Sequence, residues 1–123
     1  MPVFGGLSST AVASGVISVL ATENLAAYVA VTAGGKRADS TNPAHISKVV
    51  GISNAATLTG FRGDVISGGA IVNPAWAWNT NDTIFLNGTA LSTVPPSTGY
   101  IQPIGIATAA DTISVEIQTP ILL

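Results

Sequence analysis

Hydrophobic and polar residues alternate in short runs along most of the chain. The run Ala26–Thr32, for example, alternates Tyr28 and Ala30 with Val29 and Val31. Alternation with a period of two predicts a β-strand with two different faces. Further strand-like runs occupy residues 16–20, 48–53, 64–72, 82–86, 89–92, 100–107 and 112–119. The pattern therefore predicts about eight or nine short strands and no helix.

Turn-forming residues separate these runs. Asn87-Gly88 lies between two runs of strand-forming residues, and this dipeptide is the strongest short-range signal for a β-hairpin. Gly68-Gly69 interrupts the run at residues 64–72 and predicts a bulge or a sharp bend. Residues 34–44 are rich in turn formers and predict an exposed loop.

The composition favours the same fold class. The chain has twelve valines, twelve isoleucines and fourteen threonines, whereas lysine, arginine and glutamate together number six. β-Branched residues fit a pleated sheet, and the charged residues of surface helices are scarce. Because 123 residues make about one domain, we expect a single-domain, all-β fold, either a β-sandwich or a small barrel.

One internal similarity links two parts of the chain. Val50–Ala56 matches Ile104–Ala110 position by position. The match indicates either two pseudo-symmetric strand–turn–strand units or a chance similarity between strands rich in the same residues. Under the first interpretation, Gly51 and Gly105 mark places where a neighbouring group crosses close to the backbone.

Charge is sparse and unevenly distributed. Only 8% of the residues are charged and 47% are hydrophobic, which favours an oligomer that hides apolar surface. Residues 1–62 carry four basic and two acidic side chains, whereas residues 63–123 carry four acidic side chains and no basic one. This distribution argues against nucleic acid as a partner.

The residue inventory also limits the chemistry. The chain has no cysteine and a single histidine, His45, so thiolate sites and multi-histidine metal clusters are excluded. No common catalytic or nucleotide-binding motif occurs. We therefore expect no enzymatic activity, no cofactor and no bound metal.

The first 22 residues contain no charged side chain. No basic residue precedes the apolar stretch, and serine and glycine interrupt it, so it is a poor signal peptide and a poor membrane span. We interpret residues 1–24 as an N-terminal arm that can include a first strand, followed by a β module at residues 25–123. The larger apolar side chains of the arm, Val3, Phe4 and Leu7, are its candidate contacts with a partner.

Trp76 and Trp78 are the most conspicuous side chains. On a strand, positions two apart project from the same face, so the two indoles are expected to lie side by side. They serve either as packing at a core or subunit interface or as a platform on which a sugar stacks.

A resemblance to a known family rests on the order of several short motifs. In sequence they are the alternating strand 28–32, the loop from Ala38-Asp39 to Pro43-Ala44-His45, Val49-Val50-Gly51-Ile52, Gly63-Asp64-Val65, Trp76-Ala77-Trp78, Ile84-Phe85-Leu86, Pro95-Pro96 with Gly99, Gln102–Ala107 and Pro120-Ile121-Leu122. This series resembles a small β module of tailed-bacteriophage structural proteins, which include capsid decoration (cement) proteins and the ends of phage fibres. The resemblance covers roughly residues 25–123.

The resemblance implies a structural role in the virion without catalytic residues. Because no collagen-like or coiled-coil stalk accompanies the module, we expect a decoration protein that binds the outer surface of the expanded phage head and stabilises it. Its expected partners are the major capsid protein and copies of itself in a homotrimer, with no nucleic acid or membrane. It would be made in the host cytoplasm and reside on the capsid surface. The alternative is a fibre-tip or receptor-binding module that recognises a host surface glycan.

Overall fold

A computed structural model of the protein describes residues 15–123, which form ten β-strands and one short 3-10 helix, Pro43–His45. In chain order the strands are β1 (Val16–Leu20), β2 (Ala30–Thr32), β3 (Val49–Ser53), β4 (Arg62–Ile66), β5 (Gly68–Val72), β6 (Thr83–Asn87), β7 (Ala90–Ser92), β8 (Tyr100–Ala109), β9 (Thr112–Glu116) and β10 (Ile121–Leu122). The strand count exceeds the predicted eight or nine because the C-terminal residues form the additional short strand β10.

The strands build two antiparallel sheets. The small sheet has the order β1-β4-β3-β2, and the large sheet has the order β5-β9-β8-β6-β7, with β10 paired to β8. The prediction of an all-β fold is confirmed. Of the two architectures left open, the described residues form the sandwich, since neither sheet closes into a barrel.

The chain passes from one sheet to the other at a single residue, Ser67. β4 ends at Ile66 in the small sheet and β5 begins at Gly68 in the large sheet. The carbonyl oxygen of Gly15 accepts hydrogen bonds from the N–H groups of Ser67 (2.8 Å) and Gly68 (3.2 Å). Gly69 has a φ of +89°, a value that glycine adopts readily. The bend predicted at the glycine pair is therefore the crossing between the sheets.

Two clusters of buried side chains hold the sandwich together. The main core lies between the sheets and consists of Ala30, Ala38, Val49, Ile52, Ile71, Ile84, Leu86, Ile104, Ala107, Ile113 and Val115. The second core includes residues of the segment 21–29, which covers the other face of the small sheet; it consists of Val19, Ala21, Leu25, Val29, Val31 and Val65. The small sheet is thus buried on both faces over much of its area.

Strand β2 is shorter than its alternating pattern predicted. Tyr28 has a φ of +62°, which is incompatible with an extended strand, so β2 begins only at Ala30. The side chain of Ser53 stabilises this loop, because its Oγ accepts the N–H of Val29 (3.1 Å) and donates to the carbonyl oxygen of Ala26 (2.7 Å). Ser53 is itself buried, so these bonds satisfy its hydroxyl.

The hairpin predicted at Asn87-Gly88 is confirmed. β6 and β7 pair antiparallel with Asn87 opposite Ala90, and Gly88 has a φ of +60°. The turn also contacts the loop before the 3-10 helix, since Gly88 donates its N–H to Ser40 Oγ (2.7 Å) and accepts the N–H of Ser40 (2.8 Å). The turn at Asn87-Gly88 thereby also holds the loop around Ser40 in position.

The two similar sequence segments lie in different sheets. Gly51 is on β3 of the small sheet and Gly105 is on β8 of the large sheet. A Cβ atom at Gly51 would overlap the carbonyl oxygen of Ile66, and one at Gly105 would overlap that of Ser114. The predicted close approach is therefore present at both glycines. The local register also corresponds, because the residue after each glycine faces the residue whose carbonyl oxygen lies against that glycine: Ile52 faces Ile66, and Ile106 faces Ser114.

Part of the segment interpreted as an arm belongs to the sandwich. β1 pairs along its length with β4, and Val19 and Ala21 are buried in the second core. The first strand that the sequence allowed within residues 1–24 is thus present. The candidate contacts Val3, Phe4 and Leu7 lie outside the described residues.

Candidate functional site

The two tryptophans lie in the loop that connects β5 to β6. The loop opens with a turn in which Asn73 Oδ1 accepts the N–H of Ala75 (3.0 Å) and the carbonyl oxygen of Asn73 accepts the N–H of Trp76 (3.0 Å). Pro74 within this turn has no N–H to give to a sheet. The expectation that Trp76 and Trp78 sit on a strand is therefore wrong: the Asn-Pro pair ends the sheet before the first indole.

Main-chain hydrogen bonds hold this loop against the turn between β8 and β9. Trp78 donates its N–H to the carbonyl oxygen of Ala110 (2.9 Å), and Asn73 donates to that of Asp111 (2.8 Å). Both ends of the tryptophan segment are consequently attached to the large sheet. These hydrogen bonds fix the position of the two indoles relative to the large sheet.

The indole rings do lie side by side, and a third aromatic ring joins them. The centroids of Trp76 and Trp78 are 5.8 Å apart with an angle of 46° between the ring planes. Tyr28 packs edge-on against Trp76 at 5.6 Å. We call these three residues the aromatic cluster. All three side chains are half-buried and pack against the main core, so the cluster has an inner face in the protein and an outer face in solvent.

The indole N–H of Trp78 limits what the cluster can bind. Trp78 Nε1 is buried and has no hydrogen-bond acceptor among the described residues. An unpaired buried donor costs about 1–3 kcal/mol, and a ligand in solvent cannot reach it while the atom stays covered. A sugar bound here would therefore stack on exposed ring surface and would not accept a bond from this N–H.

A second group of polar residues surrounds Asp39, and it is structural in character. His45 Nδ1 accepts the N–H of Asp39 (3.0 Å), and the hydroxyl of Tyr100 donates to the carbonyl oxygen of Asp39 (3.0 Å). Hydrogen bonds from the side chain and the backbone N–H of Thr41 lower the pKa of Asp39. Burial, followed by the charge of Asp39, raises the pKa of Tyr100. The side chain of His45 thus helps to order this loop.

The described residues contain neither a candidate metal centre nor a candidate membrane-spanning helix. No group of three or more histidine and acidic side chains in residues 15–123 is arranged to hold a metal ion. The described part of the chain also contains no helix of the length and hydrophobicity needed to cross a bilayer.

Several large apolar side chains among the described residues are exposed, which the alternating pattern did not indicate. Leu58 and Phe61, in the loop before β4, are 63% and 65% exposed. On β1, Val16 and Leu20 are 53% and 46% exposed. The alternating pattern could not reveal this exposure, because it depends on contacts between parts of the chain that are distant in sequence.

No family model, curated protein or solved structure matches the chain. The function of the protein is therefore inferred from its residues and their geometry, together with the resemblance described above.

Proposed function

We propose that this protein is a non-enzymatic structural protein of a tailed-phage virion, and specifically a decoration protein on the outer surface of the expanded head. The observation that carries the proposal is the ordered series of short motifs over residues 25–123 that resembles phage decoration and fibre modules. The all-β sandwich is compatible with that resemblance.

The surface of the sandwich supports a binding role. Eleven large hydrophobic side chains among the described residues are exposed, and they are Val16, Ile17, Leu20, Leu58, Phe61, Val72, Val94, Ile106, Ile121, Leu122 and Leu123. Covering such side chains with a partner is favourable, at roughly 25 cal/mol per Å² of apolar surface buried. With so few charges to keep the chains apart, this apolar surface would promote unspecific aggregation unless a partner covers it. The proposed partners are the major capsid protein and the other subunits of a homotrimer.

The mechanism of stabilisation is mass action. A protein that binds the expanded lattice but not its precursor stabilises the expanded state by its binding free energy. The effect is multiplied over the many equivalent positions of a capsid. No covalent step and no cofactor are needed.

The experiment is a binding assay with expanded and unexpanded capsids that lack the protein. Co-sedimentation followed by electron microscopy measures how many copies bind and where. We expect many copies on the outer surface of expanded heads only. A few copies confined to the tail would instead identify a fibre component, and absence of binding to any part of the particle would refute a virion role.

The aromatic cluster favours one alternative, a fibre-tip or receptor-binding module that recognises a host surface glycan. The exposed face of a half-buried ring that is held against the sheet offers an apolar surface on which a sugar can stack at little entropic cost. A glycan array probed with the intact protein tests this role, with Trp76→Ala as the negative control. Loss of sugar binding in a variant with an unchanged melting temperature would support it.

A further inference from the structure

We infer that Asn87 is a deamidation site that the fold protects, and that Ser40 is the residue responsible for the protection. In an Asn-Gly dipeptide the asparagine side chain is attacked readily by the following main-chain nitrogen, because glycine has no side chain to obstruct the attack. The chain contains this dipeptide once, at Asn87-Gly88. The inference does not depend on the proposed role in a virion.

The reaction requires two groups of the turn to meet. The nitrogen of Gly88 forms a bond to Cγ of Asn87, its proton passes through solvent to the side-chain amide, and that amide leaves as ammonia. Water then opens the five-membered imide to aspartate or to isoaspartate, in which the main chain continues through the side-chain carbon. Water is the sole co-reactant, and Asn87 and Gly88 border a groove of about 370 Å³ that has room for it.

In the folded chain both reacting groups are held in hydrogen bonds. Gly88 donates its N–H to Ser40 Oγ (2.7 Å), and Asn87 Nδ2 donates to the carbonyl oxygen of Val94 (3.0 Å). Asn87 is also the last residue of β6, where it pairs with Ala90. Closure of the imide ring rotates the Asn87-Gly88 peptide and turns the side-chain amide toward it, so all of these interactions oppose the reaction.

Ser40 is held firmly against the turn. It is 1% exposed, and its own N–H donates to the carbonyl oxygen of Gly88 (2.8 Å), so two hydrogen bonds join Ser40 and Gly88. The neighbouring Asp39 accepts the hydroxyl of Tyr100 at its carbonyl oxygen (3.0 Å) and donates its N–H to His45 Nδ1 (3.0 Å). The large sheet and the 3-10 helix thus both fix the loop that carries Ser40.

The bond to Val94 protects the site less well. Val94 is 62% exposed and its hydrogen bond with Asn87 is open to solvent, so water competes for both groups. Ser40 is buried, and its bond to Gly88 breaks only when the loop moves away from the turn, which is a local opening of the fold. The rate of deamidation at Asn87 therefore reports how often the loop at Ser40 opens.

The modified residue cannot restore the native turn. A carboxylate at position 87 has no N–H for the carbonyl oxygen of Val94, and the two acceptors repel each other. Isoaspartate also adds a carbon atom to the main chain of β6 and displaces residue 87 from its pairing with Ala90. Each modification consequently weakens the hairpin irreversibly.

The first test compares the folded chain with the unfolded chain. The intact protein is incubated in mildly alkaline buffer with and without denaturing urea, and peptide mass spectrometry follows the replacement of amide nitrogen by oxygen at each asparagine. In urea, Asn87 should react faster than every other asparagine. In the folded protein it should react no faster than Asn54, which is exposed and precedes alanine. If Asn87 remains the fastest site in the folded protein, the fold does not protect it.

Removal of the Ser40 hydroxyl tests which residue gives the protection. Ser40→Ala removes the acceptor of the Gly88 N–H and should raise the rate at Asn87 in the folded protein about fivefold, which corresponds to about 1 kcal/mol, the usual contribution of one hydrogen bond. The matched control is Ser53→Ala in the small sheet. Ser53 is 2% exposed, and its Oγ likewise accepts a main-chain N–H, that of Val29 (3.1 Å).

The control separates local protection from a loss of global stability. Ser53→Ala should leave the rate at Asn87 unchanged, because its hydroxyl binds no residue of the turn. An unchanged rate in Ser40→Ala, or an equal increase in both variants, would overturn the assignment to Ser40.

Hydrogen exchange of the native protein provides a test that needs no variant. An opening that releases the Gly88 N–H from Ser40 exposes it to exchange and also frees its nitrogen for attack. Urea below the unfolding transition should therefore accelerate exchange of the Gly88 N–H and deamidation of Asn87 in proportion. Deamidation that proceeds at a constant rate while this exchange accelerates would show that Ser40 does not control the site.

Discussion

A methyl group added to Gly51 would overlap the carbonyl oxygen of Ile66 on the neighbouring strand. The same relationship holds in the large sheet between Gly105 and Ser114. In each sheet a residue without a side chain allows an adjacent strand to approach. These contacts involve backbone atoms, which cannot move without shifting the strand.

Replacement of Gly51 by alanine should therefore destabilise the protein. We expect a loss of about 1–3 kcal/mol, the usual cost of inserting an extra carbon into a packed interior, measured by urea unfolding. The matched control is Gly34→Ala, because the nearest group to a Cβ at Gly34 is Thr32 Oγ1 at 3.9 Å. Equal losses in the two variants would contradict the role of the close approach.

Truncation of either indole should weaken the main core. Trp76→Ala and Trp78→Ala should each cost about 2–3 kcal/mol, less than the roughly 3–5 kcal/mol of a fully buried aromatic side chain, since both side chains are half-buried. Thermal unfolding measures the loss, and the exposed Val94→Ala is a surface control. Unchanged stability together with lost sugar binding would favour the glycan role instead.

Replacement by phenylalanine should distinguish the two tryptophans. Both substitutions remove similar volume, but Trp78→Phe also removes a buried N–H that has no acceptor among the described residues. Trp76→Phe should consequently be more destabilising than Trp78→Phe by about 1 kcal/mol. The comparison requires denaturant melts of both variants under identical conditions, and the reverse order would show that Trp78 Nε1 is satisfied in solution.

The hydroxyl of Tyr100 should give the protein a specific response to alkali. Tyr100→Phe removes the bond to the Asp39 carbonyl oxygen and should cost about 1 kcal/mol at neutral pH. Because burial raises the pKa of Tyr100 in the folded state, its contribution is complete below the unfolded pKa, about 10, and is lost as the pH rises through the higher folded value. The stability difference between native protein and variant should shrink above about pH 10; a constant difference would refute this linkage.

Deletion of residues 2–14 tests the expected capsid-contact arm. The two described cores use only residues from 19 onward, so the shortened protein should fold with a nearly unchanged melting temperature. It should no longer bind expanded capsids in the co-sedimentation assay. An unfolded product, or one that still decorates heads at full occupancy, would contradict the assignment of Val3, Phe4 and Leu7 to that contact.

The sequence predicted those parts of the fold that depend on neighbouring residues. The hairpin at Asn87-Gly88 and the bend at Gly68-Gly69 follow from local backbone preferences. Tyr28 was misplaced in a strand because non-glycine residues adopt a positive φ only when distant contacts stabilise it. The sequence also does not reveal that both faces of the small sheet are covered, since this depends on the folding of residues 21–29 over strands distant in sequence.

The sequence likewise predicts only part of the candidate site, because the rest depends on contacts between residues distant in the chain. The two indoles lie side by side as expected, but they do so in a loop and not on a strand, and the contact with Tyr28 also depends on the loop geometry. The position of β1 at an edge of the described small sheet could not be recognised from VISVL alone, because the same sequence suits a central strand. Only the order of strands in the small sheet shows whether β1 is an edge strand or a central strand.

The crossing at Ser67 divides the described sandwich into two continuous halves of the polypeptide. Every strand of the small sheet precedes it, and every strand of the large sheet follows it. During synthesis, the ribosome thus releases all strand partners of the small sheet before it has made the surface that covers Ile52. If the small sheet forms at that point, its apolar face has no cover until the second half of the chain has been made.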